Sequence, residues 1–374
     1  MAVYKLFPTQ DATLYSLYPT MNTGLDAILE ASNKIGLSGT PDVARYLVQF
    51  DRDEIVDVIN NKIAGDTYNV YLRNFIAEAQ GINANVALEI RPLAQQWNNG
   101  TGYTLDNPIV EDGVSWAYAL LSGSGIWSLS GSNSGGYYTS SFDATYSPIG
   151  GGNWYTASTY LVTESFGLRS NKDLNLNVSN TVNAWSSSVL PNYGFIVKLS
   201  SSSEFVNNED VQPILKYYSV DTNTIYPPCL EFRWRDYATV LTGSAANNII
   251  TTSNIKMALA ENPGVFFPES INRFRVNVSP LYPTRVYQTS SLYTNLNYLP
   301  TASYYAIKDL DTNEYVVNFD NNYTQISSDT NGNYFDIYMS GLEPERYYKI
   351  LIKSTIQGST IIYDDSYYFK VING

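Results

Sequence analysis

The side chains of this sequence that could do chemistry are carboxylates, because the 374-residue chain has 35 Asp and Glu residues but no His and one Cys. Without His, neither a Ser-His-Asp nor a Cys-His nucleophile system can form, and His-ligated zinc is excluded. Paired carboxylates can still hydrolyse glycosides. The acids that we weighed for this role lie at no spacing that fixes a pair, and solvated turns explain them: Asp11, Asp26, Glu30, Asp51 and Glu164. We predict a protein that is not an enzyme and has no cofactor.

Two acidic clusters have enough oxygen ligands for calcium to be considered. One is the run at residues 51–54 (DRDE), and the other combines Asp309, Asp311 and Glu314. The second cluster lacks the Gly that an EF-hand loop needs, and Asp is common at hairpin turns. We therefore predict turn carboxylates at both places and no metal.

A further set of candidate residues is aromatic and lies in a stretch rich in Gly, Ser, Tyr and Trp, between Trp116 and Trp154. Exposed rings among small polar residues suit stacking on sugars or contact with another protein. The same rings could instead fold back over the domain, and the composition leaves both possibilities open. The candidate contact residues are Trp127, Tyr137, Tyr138, Trp154 and Tyr155.

The elements that must position these residues are β-strands, because side chains alternate between apolar and polar along much of the chain. Residues 230–235 (LEFRWR), 86–91 and 194–200 give the clearest alternation. Helical spacing is confined to short stretches at residues 53–61 and 253–261. Turn signals such as Asn331-Gly332 separate the strands at short intervals. This pattern predicts an all-β fold of sandwich type.

Changes in composition divide the chain into two predicted domains. The first, residues 1–236, carries the aromatic insertion at about 116–154. Residues 237–270 are rich in Ala, Asn, Thr and Ser and predict a partly irregular connector. The strand pattern then resumes over residues 271–374, a length typical of one sandwich. Trp97, Trp185 and Trp234 lie in or beside strand patterns and are predicted to be core residues.

Charge and cysteine content limit the partners. The net charge of −13 argues against nucleic acid and against anionic lipid, which both require clustered Lys and Arg. The lone Cys229 cannot form an internal disulfide and is predicted to be a buried thiol in a strand. The N-terminus lacks the apolar run of a signal peptide, and no stretch is long enough for a transmembrane helix. We predict synthesis in a cytoplasm and no membrane partner.

Residues 1–236 contain an opening strand with an Asn-x-Gly turn, a strand in which Arg precedes an alternating run, and three closing segments. These features lie at residues 11–16 (DATLYS), 19–24 (PTMNTG), 45–51 (RYLVQFD), 182–185 (VNAW), 192–195 (NYGF) and 227–232 (PPCLEF). In their order the domain resembles the DNRLRE-type β-sandwich, a module of large surface and extracellular proteins. The resemblance implies a jelly-roll-type sandwich for this domain.

In the last hundred residues, Leu342 and Pro344 are followed by Tyr348 and then by an alternating strand. This pattern resembles a fibronectin type III or immunoglobulin-like sandwich. In those folds a Tyr at this offset forms a tyrosine corner, in which its hydroxyl group hydrogen-bonds to nearby backbone. The resemblance implies this structural role for Tyr348.

Tandem sandwiches, loops rich in Tyr, Asn, Ser and Gly, and the lack of an export signal together resemble structural proteins of tailed-bacteriophage virions. This resemblance implies a non-enzymatic adaptor of the neck, collar, tail or fibre-attachment region, located in the virion. Its expected partners are other virion proteins and copies of itself. The alternative is a carbohydrate-binding or adhesin module that contacts a host glycan.

Overall fold

The computed structural model describes residues 2–35, 41–82, 86–104, 106–127, 150–204, 212–241, 248–260, 263–282 and 296–372. Strands account for 44% of the chain and helices for 9%, and the strands form several antiparallel sheets. The prediction of an all-β fold is therefore confirmed. In the described part of the chain, no helix is long and apolar enough to cross a membrane.

Two compact units make up the chain. The N-unit comprises Leu6–Lys62 and Asn69–Glu231, and the C-unit comprises Met1–Lys5, Ile63–Tyr68 and Phe232–Gly374. The division lies between Glu231 and Phe232, whereas the sequence placed a boundary after Asp236.

The described residues before 236 form strands β1 to β12: Ala2–Leu6, Gln10–Tyr15, Ile28–Ile35, Pro41–Gln49, Tyr68–Asn74, Ile76–Gln80, Val86–Pro92, Val162–Phe166, Leu174–Asn177, Phe195–Leu199, Ile214–Tyr218 and Cys229–Trp234. Three short helices, α1 to α3, accompany them: Arg52–Asp57, Ser179–Ser186 and Ser201–Glu204. A π-helical turn, Val58–Ile63, follows α1, and a 3₁₀ turn covers Ser158–Tyr160. Ten strands, β13 to β22, follow: Ile255–Ala260, Val265–Phe266, Ile271–Pro280, Ser303–Asp309, Tyr315–Val317, Ser327–Asp329, Gly332–Tyr338, Tyr347–Ile356, Ser359–Tyr363 and Tyr368–Val371. A further 3₁₀ turn, Met339–Gly341, precedes β20.

The N-unit is built on an eight-stranded sheet whose order is β6-β11-β3-β4-β10-β7-β8, with β2 paired to β4. Side chains of a strand alternate between the two faces of its sheet. One face presents Phe195, which packs against Trp185 of α2 with ring centroids 4.6 Å apart. The opposite face presents Leu47 and Ile196, which belong to a buried cluster that includes the loop residues Leu93, Trp97, Val114, Trp116, Trp127 and Trp154. Both faces of the sheet centre are therefore covered.

The C-unit contains a four-stranded sheet, β13-β15-β19-β18, and a six-stranded sheet, β14-β22-β20-β16-β17 with β21 paired to β20. Its core combines inward residues of both sheets and includes several aromatic rings that contact one another. Tyr305 stacks on Phe335 with centroids 4.3 Å apart, and Phe335 stacks on Phe274 at 5.5 Å. Offset aromatic pairs of this kind add about 0.5–1.5 kcal/mol each beyond simple burial.

One of the two helical predictions is wrong. Residues 253–261 include a strand, β13, which pairs antiparallel with β15. Met257 is buried in the core, and Ile255 and Leu259 pack against it, so apolar side chains recur every second residue as in a strand. Because β13 and β14 lie in the stretch predicted as connector, residues 237–270 contribute strands to both sheets of the C-unit.

The other helical prediction, residues 53–61, is confirmed by α1 and the π-helical turn after it. The Asp51 side chain caps α1 by accepting hydrogen bonds from the backbone N–H groups of Asp53 and Glu54, at 2.7 and 3.0 Å. Trp97, Trp185 and Trp234 are buried, as predicted, and so is Cys229 in β12.

Candidate functional site

The two ends of the aromatic insertion that the structure describes both hydrogen-bond to the dipeptide Ser115-Trp116 of the N-unit. The indole N–H of Trp127 donates to the Ser115 carbonyl at 3.0 Å, and the Gly151 N–H donates to the Trp116 carbonyl at 2.7 Å. Trp127 is 1% exposed and Trp154 is 7% exposed. We call the residues Ser115, Trp116, Trp127 and 150–154 the insertion base.

Under the insertion base lies a buried ion pair. The Arg45 guanidinium of β4 donates to both carboxylate oxygens of Glu204, at 2.7 and 3.2 Å, and its third nitrogen donates to the Gly151 carbonyl at 2.7 Å. The same guanidinium lies 4.8 Å from the ring centroid of Trp116 and 5.3 Å from that of Trp154. Arg45 and Glu204 are 1% and 2% exposed, so water does not screen this pair.

Lys198 of β10 extends this network. Its ammonium lies 3.5 Å from Glu204 and 3.4 Å from Glu89, and it donates to the Leu199 carbonyl at 3.0 Å. Glu89 also lies 3.6 Å from Arg91, whose guanidinium donates to the Thr156 carbonyl at 3.1 Å. We call these residues the Arg45 network: Arg45, Glu89, Arg91, Lys198 and Glu204.

Gly151 shows how closely the insertion base packs on this network. Its φ of +75° favours glycine. A Cβ atom there would lie 2.6 Å from an Arg45 guanidinium nitrogen and 2.8 Å from the Trp116 ring. The glycines before Trp154 therefore allow the chain to contact the guanidinium directly.

The Arg45 network is equipped for anchoring rather than for proton transfer. Both of its carboxylates are held by cations, and Glu204 also accepts two charge-assisted hydrogen bonds. A general acid or base needs a proton site that faces a substrate. The geometry instead fastens the insertion base and α3 to the sheet.

Around the insertion base, several apolar side chains face solvent. Backbone hydrogen bonds join their segments: the Ser122 N–H donates to the Glu111 carbonyl at 3.0 Å, and the Ala119 N–H donates to the Gly125 carbonyl at 2.8 Å. The exposed fractions run from 44% at Ile109 to 59% at Ile126. We call these four residues the apolar rim: Tyr103, Ile109, Leu121 and Ile126.

Two of the predicted contact residues, Trp127 and Trp154, lie together in the core of the N-unit. Trp127 and Trp154 belong to one core cluster, so their ring faces are not available for a ligand. Tyr155 is half-buried, and its N–H donates to the Pro92 carbonyl at 3.0 Å. Tyr137 and Tyr138 lie outside the described residues. The rings of Trp127 and Trp154 therefore fold back over the domain, which is one of the two alternatives that the sequence left open.

In the C-unit, the Tyr348 hydroxyl donates to the Glu343 carbonyl at 2.9 Å. This is the backbone contact that the tyrosine-corner resemblance implies. Leu342 is buried in the same core as Tyr348, whereas Pro344 is only half-buried. The corner holds the turn before β20.

We expect Tyr348→Phe to lower the free energy of unfolding by about 1–2 kcal/mol, because the Glu343 carbonyl loses its donor while the ring remains packed. The matched control is Tyr347→Phe, because Tyr347 is the adjacent residue and is 52% exposed. Urea unfolding followed by far-UV circular dichroism measures both. Equal effects of the two substitutions would contradict a role for the corner.

The acidic clusters have partners within the protein. Asp309 is 1% exposed and accepts two hydrogen bonds from Arg346, at 2.6 and 2.7 Å. Burial alone would raise the pKa of Asp309, but the bonds from Arg346 and Thr312 outweigh it and hold the pKa below its usual value. Among the described residues, no three His, Cys, Asp or Glu side chains are grouped so as to hold a metal ion.

Asp11 is the candidate carboxylate in the least usual environment. It lies in β2, is 1% exposed, and one oxygen accepts the Val220 N–H at 2.7 Å. The other oxygen has no hydrogen-bond partner among the described residues. Burial raises the pKa of Asp11 to about 8, although the Val220 hydrogen bond opposes the shift. The nearby Asp221 carboxylate raises the pKa of Asp11 further.

Comparisons with known proteins add no family: no family model, no curated protein and no solved structure matches the chain.

Proposed function

We propose that this chain is a non-enzymatic structural component of a tailed-phage particle, an adaptor of the neck, collar, tail or fibre-attachment region that assembles through protein–protein contacts. The phage assignment draws on the resemblances of the sequence. The assembly role is supported by two features of the N-unit. Its apolar rim is exposed, and its buried Arg45 network serves as a structural anchor.

The observation that carries this proposal is the apolar rim. Tyr103, Leu121 and Ile126 each expose about half of their side chain or more, at 49%, 50% and 59%. Apolar side chains exposed on hydrogen-bonded loops are typical of contact surfaces. Fully burying a Leu or Ile side chain contributes about 1.5–3 kcal/mol, and the half-exposed rim residues would gain part of this in a complex. The Arg45 network fastens the neighbouring insertion base to the sheet.

The rim favours a protein partner over a sugar. Sugar stacking needs the open face of an aromatic ring, but Trp127 and Trp154 bury their rings in the core. The exposed rim residues are mainly branched aliphatic side chains, which pack against protein and offer no stacking surface. Of the predicted contact residues, Tyr137 and Tyr138 lie outside the described residues, so the burial of Trp127 and Trp154 does not bear on them.

The rim is tested by the double substitution Leu121→Asp and Ile126→Asp. We expect this variant to remain folded and to lose at least tenfold in affinity for its assembly partner, because two charges replace the apolar contact. The control is Leu168→Asp in the same unit, where the leucine is 72% exposed and lies outside the rim. Mass photometry of the purified chain, alone and mixed with solubilised particle proteins, measures assembly.

Equal assembly by the wild type, the rim variant and the control would contradict a role for the rim. A wild-type chain that stays monomeric and binds no particle protein would contradict the proposed function itself. Binding to a glycan array that survives the rim substitutions would favour the carbohydrate alternative.

A further inference from the structure

Lysine and tyrosine alternate across the outer face of the larger C-unit sheet. Tyr348, Ile350 and Ile352 of β20 point into the core, so the residues between them point outward. One cross-strand row on this outer face runs from β22 to β17 and contains, in order, Tyr368, Lys349, Lys308 and Tyr315. The two lysines are direct partners in the register of β16 and β20.

Like charges directly opposite each other destabilise a sheet, so the fold gains nothing from this pair. Each lysine instead lies over a flanking ring: Lys308 is 4.7 Å from the Tyr315 centroid, and Lys349 is 5.8 Å from that of Tyr368. Cation–π contacts of this kind hold an ammonium group in place without neutralising it. The row therefore holds two ammonium groups in fixed places, and one of them, Lys349, also pairs with Asp364.

Neighbouring positions repeat the arrangement. Lys353 lies 5.1 Å from the Tyr304 ring and 4.9 Å from the Phe319 ring, and Lys370 lies 5.7 Å from the Tyr347 ring. The rings of Tyr315, Tyr347 and Tyr368 are 42%, 52% and 46% exposed. We call this surface the Lys–Tyr face: Tyr304, Lys308, Tyr315, Tyr347, Lys349, Lys353, Tyr368 and Lys370.

Intramolecular carboxylates balance only part of this charge. Lys349 pairs with Asp364, and Lys370 pairs with Glu345. Lys308 donates to the neutral Asn313 side chain at 2.9 Å, and the Lys353 ammonium lies near the rings of Tyr304 and Phe319. The Lys–Tyr face therefore keeps an excess of positive charge in a chain whose net charge is −13.

The complementary negative charge is in the other unit. The N-unit has 21 acidic and 10 basic residues, a formal charge of −11, whereas the C-unit has 14 and 12, a formal charge of −2. On α1 of the N-unit, three carboxylates lie within five residues and are exposed: Asp53, Glu54 and Asp57. Asp53 has a side chain that is 97% exposed.

We propose that the Lys–Tyr face binds the α1 acidic surface of a second copy of this chain. This contact would join two different surfaces, so it is heterologous and generates a ring or a filament rather than a closed two-fold dimer. The inference deepens the proposed assembly function and rests on it. Charge complementarity sets the partner and the register, while the tyrosine rings supply apolar area at the centre of the contact.

A charge-swap experiment on the full-length chain tests this contact. We expect Lys308→Glu with Lys353→Glu to weaken self-association at least tenfold in sedimentation velocity, and Asp53→Lys with Glu54→Lys to do the same. An equimolar mixture of the two variants should associate again, because each then offers the surface that the other needs. The control is Lys256→Glu, an exposed lysine on the other sheet of the same unit.

The association should also weaken between 50 and 500 mM salt, since exposed charges are screened. Wild-type assembly that the lysine substitutions leave unchanged, or a mixture of the two variants that stays dissociated, would overturn this inference while leaving the proposed function standing. A wild type that never self-associates and binds no particle protein would overturn both.

Discussion

Arg45→Ala is expected to lower the free energy of unfolding of the N-unit by about 3 kcal/mol or more, because Glu204 then stays in the interior without its bidentate partner and keeps one longer ion pair, with Lys198 at 3.5 Å. The loss should be accompanied by a change in the fluorescence of Trp116 and Trp154, whose rings contact the guanidinium. Five of the six Trp residues belong to the N-unit, so urea unfolding followed by Trp fluorescence reports mainly on this unit.

A double-mutant cycle separates the ion pair from simple loss of packing. Arg45→Met with Glu204→Gln removes both charges at similar volume, so the double variant should lose clearly less stability than the sum of the single variants. The control is Arg169→Ala, at an exposed arginine of the same unit, and it should change stability by less than about 0.5 kcal/mol. Additive losses at Arg45 and Glu204 would contradict a coupled network.

Asp11→Asn is expected to stabilise the N-unit increasingly as the pH rises. The pKa of Asp11 is about 8 in the folded protein and near 3.9 in an unfolded chain, so between these values the folded state holds a proton that the unfolded state lacks. The free energy of unfolding of the wild type therefore falls with rising pH, by up to roughly 1.4 kcal/mol per pH unit. Asn keeps an acceptor for Val220 and removes the ionisation.

Urea titrations at pH 5, 6, 7 and 8 measure this difference. The gap between Asp11→Asn and the wild type should grow by roughly 4 kcal/mol between pH 5 and pH 8. Asp53→Asn, at a side chain that is 97% exposed, is the control and should show no comparable growth with pH. A gap at Asp11 that stays constant from pH 5 to pH 8 would contradict a buried, protonated carboxyl group.

Alternation along the strands was enough to predict the all-β fold, and it also identified the core side of several strands. Phe195 and Val197 of β10 are buried as their spacing predicts. The same alternation would place Lys198, which follows Val197, on a solvent-exposed face, and this expectation is wrong. Lys198 is 5% exposed because the insertion base and α3 cover the second face of the sheet.

The Arg45 network therefore could not be derived from periodicity, since its members come from segments far apart in the chain. The pairing of Arg45 with Glu204 joins residues 159 positions apart, and single-sequence patterns do not encode such a contact. One local signal was present: the run Gly150-Gly151-Gly152 before Trp154 indicates that the backbone approaches other atoms closely. The structure shows that the group it approaches at Gly151 is the Arg45 guanidinium.

The aromatic insertion is a case in which the sequence left two alternatives open. From the sequence, Trp127 and Trp154 could be either surface or core residues, because composition does not specify what covers a side chain. Their indole rings complete the core, while the exposed surface nearby consists of Ile109, Leu121 and Ile126. Scattered aliphatic residues in a loop carry no sequence motif, so the apolar rim became visible only from their joint exposure.

A mass-spectrometric inventory of purified phage particles, taken from a lysate in which this chain is made, tests the central proposal most directly. We predict that the chain is present in every particle preparation, in a fixed number of copies that matches a ring or another symmetric assembly. Its absence from the particles, with the chain recovered only as a free protein in the lysate, would contradict the proposal.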